Sequence, residues 1–159
     1  MSTVAAPVKA SGVLKVEVRR VIRASRQRVF EAWTKPEEMR RWFAPGPMTV
    51  AAVETDPREG GAYRIEMKGS MDGLPENADR RSIAFGEYTE IVPNERLRFT
   101  WRPNWNPESE SVVTIHLRDV DGGTELLLLH ERIEMESSCS GYNQGWTSCI
   151  AKLDAYLGG

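Results

Sequence analysis

The chain has 159 residues, 40% of them hydrophobic and 28% charged, a size and balance that fit one globular domain with a substantial core. Its formal net charge is -2, which gives no general attraction to phosphate backbones and excludes a nucleic-acid-binding role built on charge. No run of about 18 apolar residues occurs, so membrane insertion through a spanning helix is also excluded.

Residues 1–12 are rich in Ala, Ser, Thr and Pro and lack an apolar signal core. They read as a flexible N-terminal tail, with one domain over 13–159. The arginine pairs Arg19-Arg20, Arg40-Arg41 and Arg80-Arg81 are interleaved with acids and read as solvated surface. Cys139 and Cys149, ten positions apart, stand about 15 Å apart on one helix, too far for a disulfide. Reduced thiols in a cytoplasmic protein are the expectation.

In chain order, Val13 to Ile22 alternates apolar and charged residues, a strand with one wet face. Ser25 stands where a helix N-cap is wanted, and Val29, Phe30 and Trp33 follow at helical spacing. Pro36 ends that helix and suits the first turn of a second one, which carries Met39, Trp42 and Phe43 on one face; 44–47 stops it. Met48 to Thr55 is a strand, and the turn with Gly60-Gly61 leads into a strand where Tyr63, Ile65 and Met67 alternate with charges. The polar stretch Gly69 to Ser82 is long for a connection, a length associated with lids over sites. Strands over 82–92 and 96–102 flank Pro93-Asn94. Then comes a Pro- and Asn-rich loop holding Trp105, which reads as a cap on a cavity mouth or a dimer contact. Strands over 111–118 and 124–132 flank Asp121-Gly122-Gly123. Finally Trp146, Cys149, Ile150, Leu153 and Leu157 form one apolar stripe on a helix of about four turns. The order is strand, two short helices, six strands, long helix.

Turn geometry predicts which residues face inward. With Pro93-Asn94 as the central pair of a two-residue turn, Leu97, Phe99 and Trp101 oppose Glu90, Tyr88 and Gly86, and Tyr88 and Glu90 come inside. With Asp121-Gly122 as the last turn, Val113, Ile115 and Leu117 oppose His130, Leu128 and Leu126, which sets His130 inside and His116 outside. A three-residue loop would put both histidines on one side. The resulting interior is apolar and aromatic with a few polar groups. It is either a small-molecule cavity or a filled core whose polar groups satisfy one another.

Several stretches together resemble a known family. They are Ile22-Arg23-Ala24-Ser25 with Val29-Phe30-Glu31-Ala32-Trp33-Thr34, then Arg41-Trp42-Phe43, then Asp56-Pro57-Arg58-Glu59-Gly60-Gly61-Ala62-Tyr63-Arg64. Further on are Gly86-Glu87-Tyr88-Thr89-Glu90-Ile91, Glu95 to Trp101, Gly123-Thr124-Glu125-Leu126 running to His130, and Gly145-Trp146 with Leu153 and Tyr156-Leu157. The chain resembles the bacterial proteins related to the C-terminal domain of the activator of the 90-kDa heat-shock protein ATPase. These belong to the START-like, birch-pollen-allergen-like superfamily, which also includes polyketide cyclases. The resemblance implies an α+β helix-grip fold, a curved antiparallel sheet of about seven strands around a long C-terminal helix. Members look like binders of hydrophobic ligands, occasional enzymes or chaperone partners, and share no catalytic residue set.

The chemistry sought in the residues is correspondingly spare. No CxxC, HxH or HExxH occurs, so neither a metal nor a cofactor is expected. Gly60-Gly61 follows no strand-to-helix junction and reads as a hairpin, not a phosphate loop. Cys149 with His130 is the one Cys/His pair that a nucleophile could use. Glu90 and His130, with Tyr88, are the best acid–base candidates, or they merely satisfy each other inside the sheet. The leading expectation is a small hydrophobic or aromatic ligand between the sheet (Tyr63, Met67, Tyr88, Phe99, Trp101, His130) and the helices (Trp42, Trp146, Ile150, Leu153). Access would be controlled by 44–47 and by Gly69 to Ser82. The alternatives are a cyclase- or hydrolase-type enzyme using Glu90 and His130, and a stress- or chaperone-related interaction module, with a homodimer also open.

Overall fold

The structure, a computed structural model, describes residues 14–69, 81–104, 107–134 and 136–158. The expected N-terminal tail, Trp105 and most of the Gly69 to Ser82 stretch lie outside the described residues. Ten elements follow in order: β1 (Leu14–Ile22), α1 (Arg26–Thr34), α2 (Pro36–Met39), β2 (Thr49–Thr55), β3 (Ala62–Lys68), β4 (Arg81–Val92), β5 (Arg96–Pro103), β6 (Ser111–Val120), β7 (Gly123–Ile133) and α3 (Glu136–Gly158). The strands form one antiparallel sheet of order β1-β7-β6-β5-β4-β3-β2. α3 lies across its concave face, so the helix-grip α+β expectation holds.

Local chemistry explains the short elements. Ser25 caps α1 by accepting the Arg28 N–H at 3.2 Å, and Pro36 opens α2 where its missing N–H costs nothing. The two are welded by aromatic packing. Trp33 and Trp42 meet edge to face at 4.7 Å, and Trp42 Nε1 donates to the Ala32 carbonyl at 3.0 Å.

The sheet bends at three bulges, where one extra residue on a strand tightens twist and curvature. Arg132 is the extra residue between β7 and β1, and it adopts φ 63°. Ala51 is extra between β2 and β3, and Thr89 between β4 and β5. The Thr89 bulge corrects the expected facing of Glu90. The turn at Pro93-Asn94 includes Glu95, with Asn94 at φ 65°, so the hairpin closes as Val92↔Arg96 and Ile91↔Leu97. The bulge then restores Tyr88↔Phe99. Tyr88 is inside as expected, Ile91 packs against the core, and Glu90 opposes Arg98 and turns outward. The last hairpin pairs Val113↔His130, Ile115↔Leu128 and Leu117↔Leu126 around Asp121-Gly122, as the turn chemistry predicts. His130 is inside and His116 outside.

The main core is dry. Trp33, Trp42, Phe43, Ile65, Leu97, Ile115, Leu126, Leu128, Ile150 and Leu153 are each at most 2% exposed. α3 spans 23 residues, about 35 Å, not about four turns. The extra length precedes Trp146, in a Ser- and Gly-rich stretch poor in apolar residues. There Tyr142 packs on His130 (ring centroids 4.3 Å) and on Trp101 (6.5 Å).

Gly86 is obligatory for steric reasons. Tyr63 pairs with Gly86 across β3 and β4. Its hydroxyl reaches past that glycine to donate to the Thr100 carbonyl on β5 at 2.5 Å. A Cβ at Gly86 would sit 2.2 Å from that same oxygen. Gly86→Ala should therefore force the β4–β5 pairing apart and cost roughly 2–3 kcal/mol in urea unfolding. A loss below about 0.5 kcal/mol would show the close approach to be unimportant.

Candidate functional site

Where α3 leaves the sheet, at its N-terminal half, a cavity of about 340 Å³ opens. Phe43, Pro45 and Met48 wall it from the α2–β2 loop; Met67, Ala84 and Trp101 from β3, β4 and β5; and Tyr142, Trp146 and Cys149 from α3. Two glycines thin the helix wall. A Cβ added at Gly141 meets nothing within 4 Å, and one at Gly145 meets only Pro45 at 3.8 Å. Among the described residues no charged side chain lines the cavity.

The loop beside it is tied to α3. Gly46 N–H donates to Ser148 Oγ at 2.6 Å, Cys149 Sγ–H to the Phe43 carbonyl at 3.0 Å, and Lys152 Nζ to the Ala44 and Met48 carbonyls at 2.6 and 3.3 Å. Residues 44–47 are thus a pinned wall. Further along α3, Asp154 is 7% exposed and pairs with Arg20 at 3.1 Å and Arg23 at 3.8 Å.

His130 stands behind Trp101 and Trp146 and is wholly buried. Trp146 Nε1 donates to its Nδ1 at 3.0 Å, and Ser111 Oγ lies 2.7 Å from its Nε2. An indole nitrogen can only donate, so Nδ1 carries a lone pair and the proton sits on Nε2, directed at Ser111. Burial pushes the pKa of His130 down to about 3. The polarity is the reverse of a Ser–His catalytic pair, in which the imidazole nitrogen facing the hydroxyl must be the acceptor. Cys149 is no better placed as a nucleophile. Burial pushes its thiol up to about 12, and its S–H bond is committed to Phe43.

Glu90 is not near His130. On the outer face Arg96 Nε and Nη2 hold its two oxygens at 3.0 Å each. That bidentate bond lowers the Glu90 pKa. The expected Glu90–His130 pair is therefore absent, because the Thr89 bulge turns Glu90 away.

The other expected ligand residues divide by depth. Met67, Trp101 and Trp146 line the cavity. Tyr63, Tyr88 and Phe99 close on one another at 5.3 to 6.2 Å around a crevice of about 10 Å³, too small for a ligand. Trp42, Ile150 and Leu153 are at most 1% exposed and belong to the dry core. Residues not anticipated as lining include Met48, Ile83, Ala84, Pro103 and Tyr142. Tyr142 had a legible signal, since it stands one helical turn before Trp146 on the same stripe.

The sequence model of the family described as Activator of Hsp90 ATPase homolog 1-like protein matches residues 23–158. The chain belongs to that family. Among solved structures, it is similar to protein CV1439 from Chromobacterium violaceum, with 26% identity over 91% of this chain and 97% of that one and a TM-score of 0.73. A Rhodobacter sphaeroides protein gives 23% identity, 94% coverage of each chain and a TM-score of 0.78. DynU16 gives 21% identity over 90% of this chain and 46% of that one, with a TM-score of 0.70. A search of curated proteins gave no match. Among the described residues no helix is long and apolar enough to cross a membrane. Among those residues, too, no cluster of His, Cys, Asp and Glu suited to a metal is present.

Neutral His130 ties stability to pH. The folded state holds the imidazole deprotonated down to about pH 3, whereas the unfolded chain takes up that proton near pH 6.5. Its contribution is complete above pH 6.5 and is lost as pH falls toward the folded value. Between pH 6.5 and 4.5, before most carboxylates titrate, this amounts to at most roughly 2–3 kcal/mol. His116, whose pKa is lowered by partial burial and by Arg96 and Arg98, adds a smaller loss of the same sign. His130→Gln keeps an acceptor and a donor and should flatten the curve of urea midpoint against pH in that window. An unchanged slope would mean that His130 does not carry it.

Proposed function

We propose that this protein binds a small, uncharged apolar or aromatic molecule in the cavity between the α2–β2 loop, β3 to β5 and the first half of α3. The observation that carries the reading is a cavity of about 340 Å³ whose described wall is apolar and aromatic and holds no charged side chain. That volume is near the lower end for small-molecule sites, roughly 300–1,000 Å³, and suits one or two rings. The reading is also supported by DynU16, a structural neighbour that belongs to the dynemicin biosynthetic locus.

The enzymatic alternative needs a proton donor and acceptor at the cavity. Glu90 is on the other face of the sheet beside Arg96, and both nitrogens of His130 are engaged by Ser111 and Trp146. An interaction module on the outer face is no better supported. Charges there pair locally, as in Arg118 with Glu125 at 2.9 Å and Arg96 with Glu90 at 3.0 Å. Among the described residues Val21 is the one exposed large hydrophobic, so no apolar docking patch forms.

Naphthalene-sized compounds should raise the melting temperature. At about one hundred times Kd the stabilisation is roughly 2.7 kcal/mol, or about 5–10 °C for a domain of this size. Gly141→Phe puts a ring where an added Cβ meets no other atom. It should leave the fold intact and weaken binding about tenfold or more. Undiminished binding by a folded Gly141→Phe variant would place the ligand elsewhere.

A further inference from the structure

The cavity and the small aromatic crevice are two compartments of one trough. On the concave face of the sheet, the cavity of about 340 Å³ lies over Met67 of β3, Ala84 of β4 and Trp101 of β5. The crevice of about 10 Å³ lies over Tyr63 and Ile65, Tyr88, and Phe99 of the same three strands. On β3 the boundary falls between the inward-facing neighbours Ile65 and Met67, and on β5 between Phe99 and Trp101. Such neighbours stand about 7 Å apart along a strand, so a single side chain is enough to divide the two spaces.

Phe43 stands at that division. Among the described residues it alone borders both spaces. On the cavity side its ring stacks on Trp101, with centroids 6.5 Å apart and planes at 26°, and meets Trp146 edge-on at 5.8 Å. On the crevice side it meets Trp33 edge-on at 5.9 Å. The backbone that carries the ring is held at both its polar groups. Phe43 N–H donates to the Met39 carbonyl at 3.0 Å, and the Phe43 carbonyl accepts the Cys149 S–H at 3.0 Å. A phenylalanine in an interior of crystal-like density has side chains packed on every side. This ring instead has the cavity on one side and the crevice behind it.

Resting on the binding reading above, we propose that Phe43 is the specificity-determining residue of the site, the partition that ends the cavity and limits the ligand to the length of two rings. The ligand class is then a compact bicyclic molecule, and a linear array of three rings is rejected by its length. Without the ring, the trough runs on from Trp101 to Phe99, Ile65 and Tyr88 as one apolar space. An engineered void of about 150 Å³ in an apolar core stays dry and takes up benzene. The space of one phenyl ring, joined to the crevice, therefore makes room for about one further ring of ligand.

The test uses 4-phenylphenol and 4-hydroxy-p-terphenyl, neutral probes of equal width that differ by one ring. Fluorescence titration of the wild type should give a Kd about tenfold or more lower for the two-ring probe. Phe43→Ala should lower the three-ring Kd by roughly tenfold or more, the lower end of what burying a phenyl ring contributes. Phe43→Leu also removes the ring but keeps a branched apolar side chain in the core. It should shift the three-ring Kd in the same direction, and its result decides the matter if Phe43→Ala does not fold. Met48→Ala enlarges the cavity at a residue that does not border the crevice, and should leave the preference for the shorter probe in place. In the wild type, nuclear Overhauser contacts from bound 4-phenylphenol should reach Phe43 and Trp101 and stop short of Tyr88. Equal Kd values for the two probes in the wild type, or ligand contacts to Tyr88 there, overturn the partition while the cavity reading stands. So does a folded Phe43 variant without the gain, or an equal gain from Met48→Ala. If the two-ring probe does not bind the wild type, the binding reading falls and takes the partition with it.

Discussion

The architecture depends on how α3 is fastened, because the fastening is uneven along its length. Its C-terminal half is dry and tied down. Ile150 and Leu153 are fully buried, Asp154 holds Arg20 and Arg23 of β1 and its following turn, and Lys152 grips two carbonyls of the α2–β2 loop. Its N-terminal half carries glycine at 141 and 145, rests on Tyr142 and Trp146, and leaves space beneath. The bonds that fix one end set the distance at which the other end stands from the sheet. A helix packed tightly along all its turns would leave no cavity, since protein interiors otherwise close to crystal-like density.

The same unevenness explains what the sequence discloses. Strand periodicity in β3 and β5, the cap at Ser25 and the Asp121-Gly122 turn are local signals, and local signals set the element order and the facing of Tyr63, Phe99 and His130. Cavity placement is not local. Trp42, Ile150 and Leu153 have the same apolar character as Trp101 and Trp146. Whether such a residue lines a void or fills the core depends on where α3 departs from the sheet. Residues 141 and 145 carry that information only through the absence of side chains, which a search for apolar periodicity does not register.

Glu90 illustrates a second limit. Pro93-Asn94 predicts a turn correctly, but Asn94 in the left-handed region adds Glu95 to the loop, and Thr89 absorbs the offset as a bulge. Two compensating irregularities leave Tyr88 opposite Phe99 while reversing the residue between them and the turn. Asparagine tolerates that backbone conformation better than most residues. The bulge has no comparable residue signature, so the facing of Glu90 rests on three-dimensional strand pairing.

His130 then bears on what the site can do. A buried imidazole near a cavity invites a catalytic role, and distance alone would allow one, with Ser111 at 2.7 Å. The decisive fact is the partner on the far side. In an activated pair a carboxylate or carbonyl accepts from Nδ1 and leaves Nε2 free to take a proton; here Trp146 donates to Nδ1 and directs the Nε2 proton at the serine. Reversing that arrangement would mean breaking the Trp146 bond inside an apolar wall, with nothing else at hand to receive the indole N–H. The histidine instead fixes the ring that forms the cavity's back wall, joining β7 to α3 and, through Ser111, to β6. With both ring nitrogens held in this way, His130 lends the cavity wall a fixed ring and no nitrogen free to take a proton.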